Sequence, residues 1–182
     1  MAVLIEGYSI VLNKQEAVKN QKALDVLGAV EGTLHPTAIC SDQDLLRIGF
    51  VDLAQANEFL AALEGGGLIQ GKEMVMVSQF GETETPTDWL KVQFTKLKDN
   101  TLICIATLQS DEPVKGVAMP KGWRLETSLL KRYFEERSVY MHEYYELVRE
   151  EPMHDIYKNR ETGDEVRLLK LTMKPMDEAE LQ

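Results

Sequence analysis

The chain reads as an α+β protein with a mixed or mostly antiparallel sheet, helices packed on one face, and a C-terminal helix-and-hairpin extension. Three observations predict this. Short apolar runs with period-two alternation dominate the first 110 residues, two stretches between them switch to the helical period, and glycine or Asx clusters separate them.

The first strand spans Val3–Leu12. Val3 and Ile5, then Tyr8, Ile10 and Leu12, alternate across a break at Glu6-Gly7 that suggests a bulge. Lys14–Leu27 follows with Ala17, Val18, Leu24 and Leu27 on one helical side and Gly28 as the stop. Thr37–Cys40 and Leu45–Phe50 form a hairpin around Ser41-Asp42-Gln43-Asp44, whose short polar side chains bond their own backbone. Asp52 is placed to cap the next helix, with Gln55 reaching back and Val51 and Ala56 in the staple positions. Phe59, Leu60 and Leu63 sit at helical spacing along it, and Gly65-Gly66-Gly67 ends it. Met74–Phe80, the half-solvated Leu90–Leu97 and the doubly covered Leu102–Leu108 complete the sheet, with a turn at Lys98-Asp99-Asn100.

Pro113–Pro120 reads as loop, and the composition then turns charged and aromatic. This divides the chain into a core domain, residues 1–127, and an extension, residues 128–182, packed on the same domain. Thr127–Glu151 has helical spacing in Leu129, Leu130, Tyr133 and Phe134, then in Tyr140, Tyr144, Leu147 and Val148, which predicts one helix or two broken near Ser138. Ile156-Tyr157-Lys158 and Val166–Leu171 flank Glu161-Thr162-Gly163-Asp164 as a hairpin, and the acidic tail from Pro175 should fray.

The 182 residues are 44% hydrophobic, enough for one sizeable core. Thirty acidic against 20 basic residues give a formal charge of -10, which disfavours nucleic acid and anionic lipid and would attract a basic protein. No run approaches the apolar length that a bilayer needs, so no membrane partner is expected. The opening Met1–Gly7 carries Glu6 and no basic leader, so it reads as a strand and not as a signal peptide. Cys40 and Cys104 lie within apolar runs, which predicts free buried thiols in a reducing, cytoplasmic setting.

Four stretches together carry a resemblance: MAVLIEG at the start, DLLRIGFVDLAQANEFLAALEGGGL from Asp44, TPTDWL from Thr85 and PKGW from Pro120. The chain resembles, over residues 1–127, an uncharacterised family of bacterial proteins. That likeness implies a common fold unit; the family has no established activity, so it implies no catalytic residue and no cofactor.

Chemistry-bearing patterns are sparse. His142 and Glu146 would share a helical face, with His154 or Asp155 nearby, but the spacing is not that of a zinc peptidase and reads as solvated side chains, so no metal is expected. His35, Cys40 and Asp42 suggest a nucleophile and base, although strand alternation separates them, and no catalytic residue is assigned. The triple glycine follows a helix, where carbonyls repel phosphate. Two function classes remain. The first is a non-catalytic, self-associating interaction protein, most simply a homodimer, in contact through Tyr133, Tyr140, Tyr144 and Tyr145, because one helix face cannot hide so many aromatics. The second is a small-molecule binder or enzyme with a pocket between the sheet and the extension, lined by Tyr8, Trp89, Trp123 and His142.

Overall fold

The computed structural model describes residues 1–133, 143–151 and 154–169, and shows an α+β fold with three sheets, mostly antiparallel. The predicted first strand is two strands, β1 (Ala2–Ile5) and β2 (Tyr8–Asn13), and they belong to different sheets. The break at Glu6-Gly7 is therefore a crossing between sheets and not a bulge. Gly7 makes the corner at φ +57°, a left-handed conformation that only glycine adopts without strain, and a Cβ there would collide with the Phe50 carbonyl. Ser9 closes the corner: its hydroxyl donates to the Glu6 carbonyl at 2.8 Å and accepts from the Glu6 N–H at 3.1 Å.

Past β2, the predicted single helix is two, α1 (Lys14–Ala17) and α2 (Gln21–Glu31). Asn20 breaks the run by capping α2, its side chain accepting from the Ala23 N–H, and α2 continues through Gly28, which faces open space. The hairpin β3 (Ile39–Ser41) and β4 (Leu45–Phe50) forms as expected, and Asp52 caps α3 (Leu53–Gly65) through the Ala54 and Gln55 amides. Gln55 does not reach back to the cap. Gly67, at φ +99°, carries the chain away from α3 towards β5 (Met74–Ser78). Next come β6 (Leu90–Lys96), β7 (Leu102–Leu108) and the short β8 (Val117–Ala118).

One four-stranded sheet has the order β3-β4-β2-β5, and the other β6-β7-β1-β8. Alternation along β1 and β2 builds three apolar layers. Val3, Ile5 and Val11 pack between the sheets with Val75, Val77, Cys104 and Ala106. Ile10, Leu12 and Ile48 meet Phe59, Leu60 and Leu63 of α3 on the outer face of the first sheet. On the outer face of the second, Ala2, Leu4, Ile103 and Ile105 are covered by Leu130, Trp123 and Leu125. Residues 123–133, a strap that includes a 3-10 turn at Leu125–Thr127 and helical residues 129–133, thus belong to the core.

The predicted helix Thr127–Glu151 requires correction. Its last part is the strand β9 (Tyr145–Glu150), which pairs with β10 (His154–Asn159), itself paired with β11 (Glu165–Leu169). Helical spacing was present in the apolar residues, but Tyr145, Leu147 and Val148 also suit a strand once a partner strand supplies hydrogen bonds. Among the described residues this three-stranded sheet shares no strand pairing with the other two. No described helix is long and apolar enough to cross a membrane.

Candidate functional site

A fully buried ion pair lies at the crossing of the two sheets. Glu6 and Arg47 are both fully buried and form an ion pair, Arg47 Nη2 donating to Glu6 Oε2 at 2.8 Å. Arg47 is satisfied further by the Leu4 carbonyl at 2.7 Å and the Ala38 carbonyl at 3.2 Å. Glu6 Oε1 faces the strap and accepts from the Trp123 indole N–H at 2.8 Å and from the Leu130 N–H at 3.3 Å. Gln79 adds a second fastening: its Oε1 accepts from the Gly7 N–H, and its Nε2 donates to the Leu130 carbonyl at 3.4 Å. A buried charge pair survives desolvation only with complete hydrogen bonding, and here the completing donors come from the strap. The pair therefore clasps residues 123–133 to the core. Each side-chain nitrogen of Arg47 and each carboxylate oxygen of Glu6 has a partner in the chain, so the clasp holds structure together.

Beside the clasp lies a cleft of about 400 Å3. The end of β4 and the start of α3 supply Gly49, Phe50, Val51, Asp52 and Gln55; the segment after α2 supplies Thr33, Leu34, His35 and Ala38; and the strap supplies Leu129 and Arg132. Gly49 is required by the close approach of the strap, since a Cβ there would stand 2.9 Å from Leu129 Cδ1 and 2.6 Å from Arg47 Nη1. His35 Nδ1 accepts from the Thr37 N–H at 3.3 Å and lies 2.7 Å from Thr37 Oγ1, which leaves Nε2 as the nitrogen available to a ligand. Asp52 uses Oδ1 for its cap and keeps Oδ2.

The residues expected to line a pocket are dispersed. Trp123 is bonded to Glu6, Trp89 donates its indole N–H to the Gly71 carbonyl at 2.9 Å at the margin of the inter-sheet core, and Tyr8 packs edge-on against Tyr133 with ring centroids 5.0 Å apart. None of these three lines the cleft. His142 lies outside the described residues. Of the tyrosines expected at an interface, Tyr133 is 4% exposed and sits between Tyr8 and Phe80, while Tyr140 lies outside the described residues. Tyr144 is 42% exposed, with Leu147 at 46% and Val148 at 44%, and Tyr145 is half-buried.

Both cysteines are free and buried. Burial pushes the Cys104 thiol up to about 12; burial also raises that of Cys40, against the opposing pull of the Arg47 guanidinium. Neither suits a nucleophile, which needs a lowered thiol pKa. Among the described residues no group of three or more His, Cys, Asp or Glu side chains could hold a metal ion.

Sequence reasoning passed over Glu6 and Arg47. The signal was there: each is a lone charge inside an apolar strand run, VLIEGY and LLRIGF, and the two charges are opposite. No family model matches the chain, and no curated protein or solved structure matches it.

Proposed function

We propose that this is a non-catalytic interaction protein that associates with a second copy of itself through its C-terminal sheet. The observation that carries this reading is the placement of exposed apolar side chains. Eight large hydrophobic residues are exposed among the described residues, and three of them, Tyr144, Leu147 and Val148, fall within five positions at β9, an edge strand. The other five are scattered singly, as on any surface. Exposed apolar side chains gathered along an edge strand favour a protein partner, and a symmetric pair is the simplest one because the same edge serves both copies. The fully partnered clasp and the raised thiols add support, since neither provides a group poised for reaction.

Light scattering after size exclusion tests it. The chain should elute at about twice its 20.6 kDa mass, and the double variant Leu147→Ser/Val148→Ser should elute at 20.6 kDa. A wild-type mass of 20.6 kDa at tens of micromolar would end the reading. The strongly acidic surface, with its net charge of -10, also favours a basic protein as a further partner.

A second reading, a small-molecule binder with a pocket between sheet and extension, is supported by one observation. The cleft stands between the β4–α3 corner and the strap, and its volume falls within the range of small-ligand sites.

A further inference from the structure

We propose that the cleft binds a small zwitterion, in its simplest form a free α-amino acid with an apolar side chain. The inference rests on the small-molecule reading and names the ligand class.

The cleft brings opposite charges to one cavity without joining them. Arg132 comes from the strap and Asp52 from the start of α3, and no ion pair links them. Asp52 Oδ1 is committed to the Ala54 and Gln55 amides, which leaves Oδ2 as an acceptor for an ammonium group. The Arg132 guanidinium is a planar donor fork that matches a carboxylate, and His35 Nε2 and the Gln55 amide add polar positions on the same cavity.

Each charge also has an apolar neighbour. Leu129 and Arg132 are three residues apart in helical backbone and so share a face, while Val51 adjoins Asp52. With Leu34 and Phe50 they provide an apolar wall for a side chain. Net charge decides between ligand classes. A protein at -10 repels a bare anion over several ångströms, and Asp52 would repel it again at the site. A bare cation would meet Arg132. A zwitterion is neutral overall and meets each of its charges with the opposite one.

The clasp gives the site a condition. Arg132 stands two residues beyond Leu130, whose amide is held by Glu6 and whose carbonyl is held by Gln79, so the cation reaches the cleft only while the strap is docked.

Calorimetric titration of the full chain with L-leucine, N-acetyl-L-leucine and L-leucinamide tests this. L-leucine should bind saturably, and each blocked analogue, lacking one charge, should bind several-fold more weakly, because it loses one charge-assisted contact to the exposed Arg132 or Asp52 side chain. Arg132→Gln and Asp52→Asn should each weaken L-leucine by a similar factor. The asparagine still caps α3, so an unchanged melting temperature without ligand separates lost recognition from lost folding. Equal or tighter binding of a blocked analogue would overturn the zwitterion and leave the small-molecule reading standing. L-leucine bound equally by both variants would place its site elsewhere and overturn the assignment. No saturable binding of any of the three ligands would overturn the zwitterion proposal, and a melting curve also unmoved by a broad metabolite panel would remove the small-molecule reading with it.

Discussion

The corner where β1 meets β2 and the sheet formed by β9–β11 treat buried and exposed groups in opposite ways. At the corner, two full charges lie at zero exposure, and each has its partners within the chain, drawn from four separate stretches of sequence. In the C-terminal sheet, Ile156 is buried, while Leu147 and Val148 on the neighbouring strand remain nearly half in water. The first region has the form of a folding core that also fixes where the strap lies. The second pairs its strands with one another but leaves apolar side chains exposed along its β9 edge. The difference separates side chains that hold this protein together from side chains left in water, and the proposed self-association rests on the second group.

Breaking the clasp gives the largest expected effect. Glu6→Ala leaves the Arg47 guanidinium buried without its counter-charge and should cost about 3–5 kcal/mol in denaturant unfolding. Combining Glu6→Leu with Arg47→Met should cost much less than the two single changes added together, because neither charge is then stranded. Additive losses in that cycle would show that the two residues act separately. Gly7→Ala is next: the left-handed backbone and the nearby Phe50 carbonyl should make it cost about 1–3 kcal/mol, also by denaturant titration.

The buried thiols sharpen the comparison through pH. Cys104 is held near 12 in the folded chain against an ordinary value of 9.0. The folded state therefore keeps its proton when the unfolded state loses it. This contribution to stability is fully present below pH 9 and is lost as pH rises from 9 towards 12, so melting temperature should begin to fall above pH 9. Cys104→Ala should flatten that part of the profile, and an unchanged alkaline slope would show that other groups control it. In native protein at pH 7, a maleimide should label neither cysteine over minutes.

The smallest effect on stability belongs to the exposed strand. Leu147→Ser and Val148→Ser should each change the stability of the isolated chain by no more than about 0.5 kcal/mol, while weakening the proposed self-association. A loss of several kcal/mol in monomeric protein would mean that these side chains support the fold and are not a contact surface.

Much of the fold was legible because local rules carried it. The Asx turn before β4, the Asp52 cap, the glycine exit from α3 and the turn at Asn100, with its positive φ of 65°, each depend on residues within a few positions of one another. The candidate site was much less legible. Trp89 and Trp123 looked available because sequence does not show that Gly71 and Glu6 take up their indole N–H groups. Tyr133 looked like surplus aromatic area because its ring partners, Tyr8 and Phe80, are 125 and 53 residues away. The cleft draws on three stretches between Thr33 and Arg132, and no spacing rule links them.

The sequence by itself determined the α+β class, the caps and turns, the burial of both cysteines and the presence of a break at Glu6-Gly7. Hydrophobic period, side-chain capping and glycine backbone freedom act over a few residues, so they can be read directly from order. Only the tertiary structure decided that this break carries the chain from one sheet to another, that residues 145–150 extend as a strand, and that Glu6 and Arg47 meet. Those outcomes depend on partners up to 124 residues apart, where burial and hydrogen bonding between distant segments override local preference.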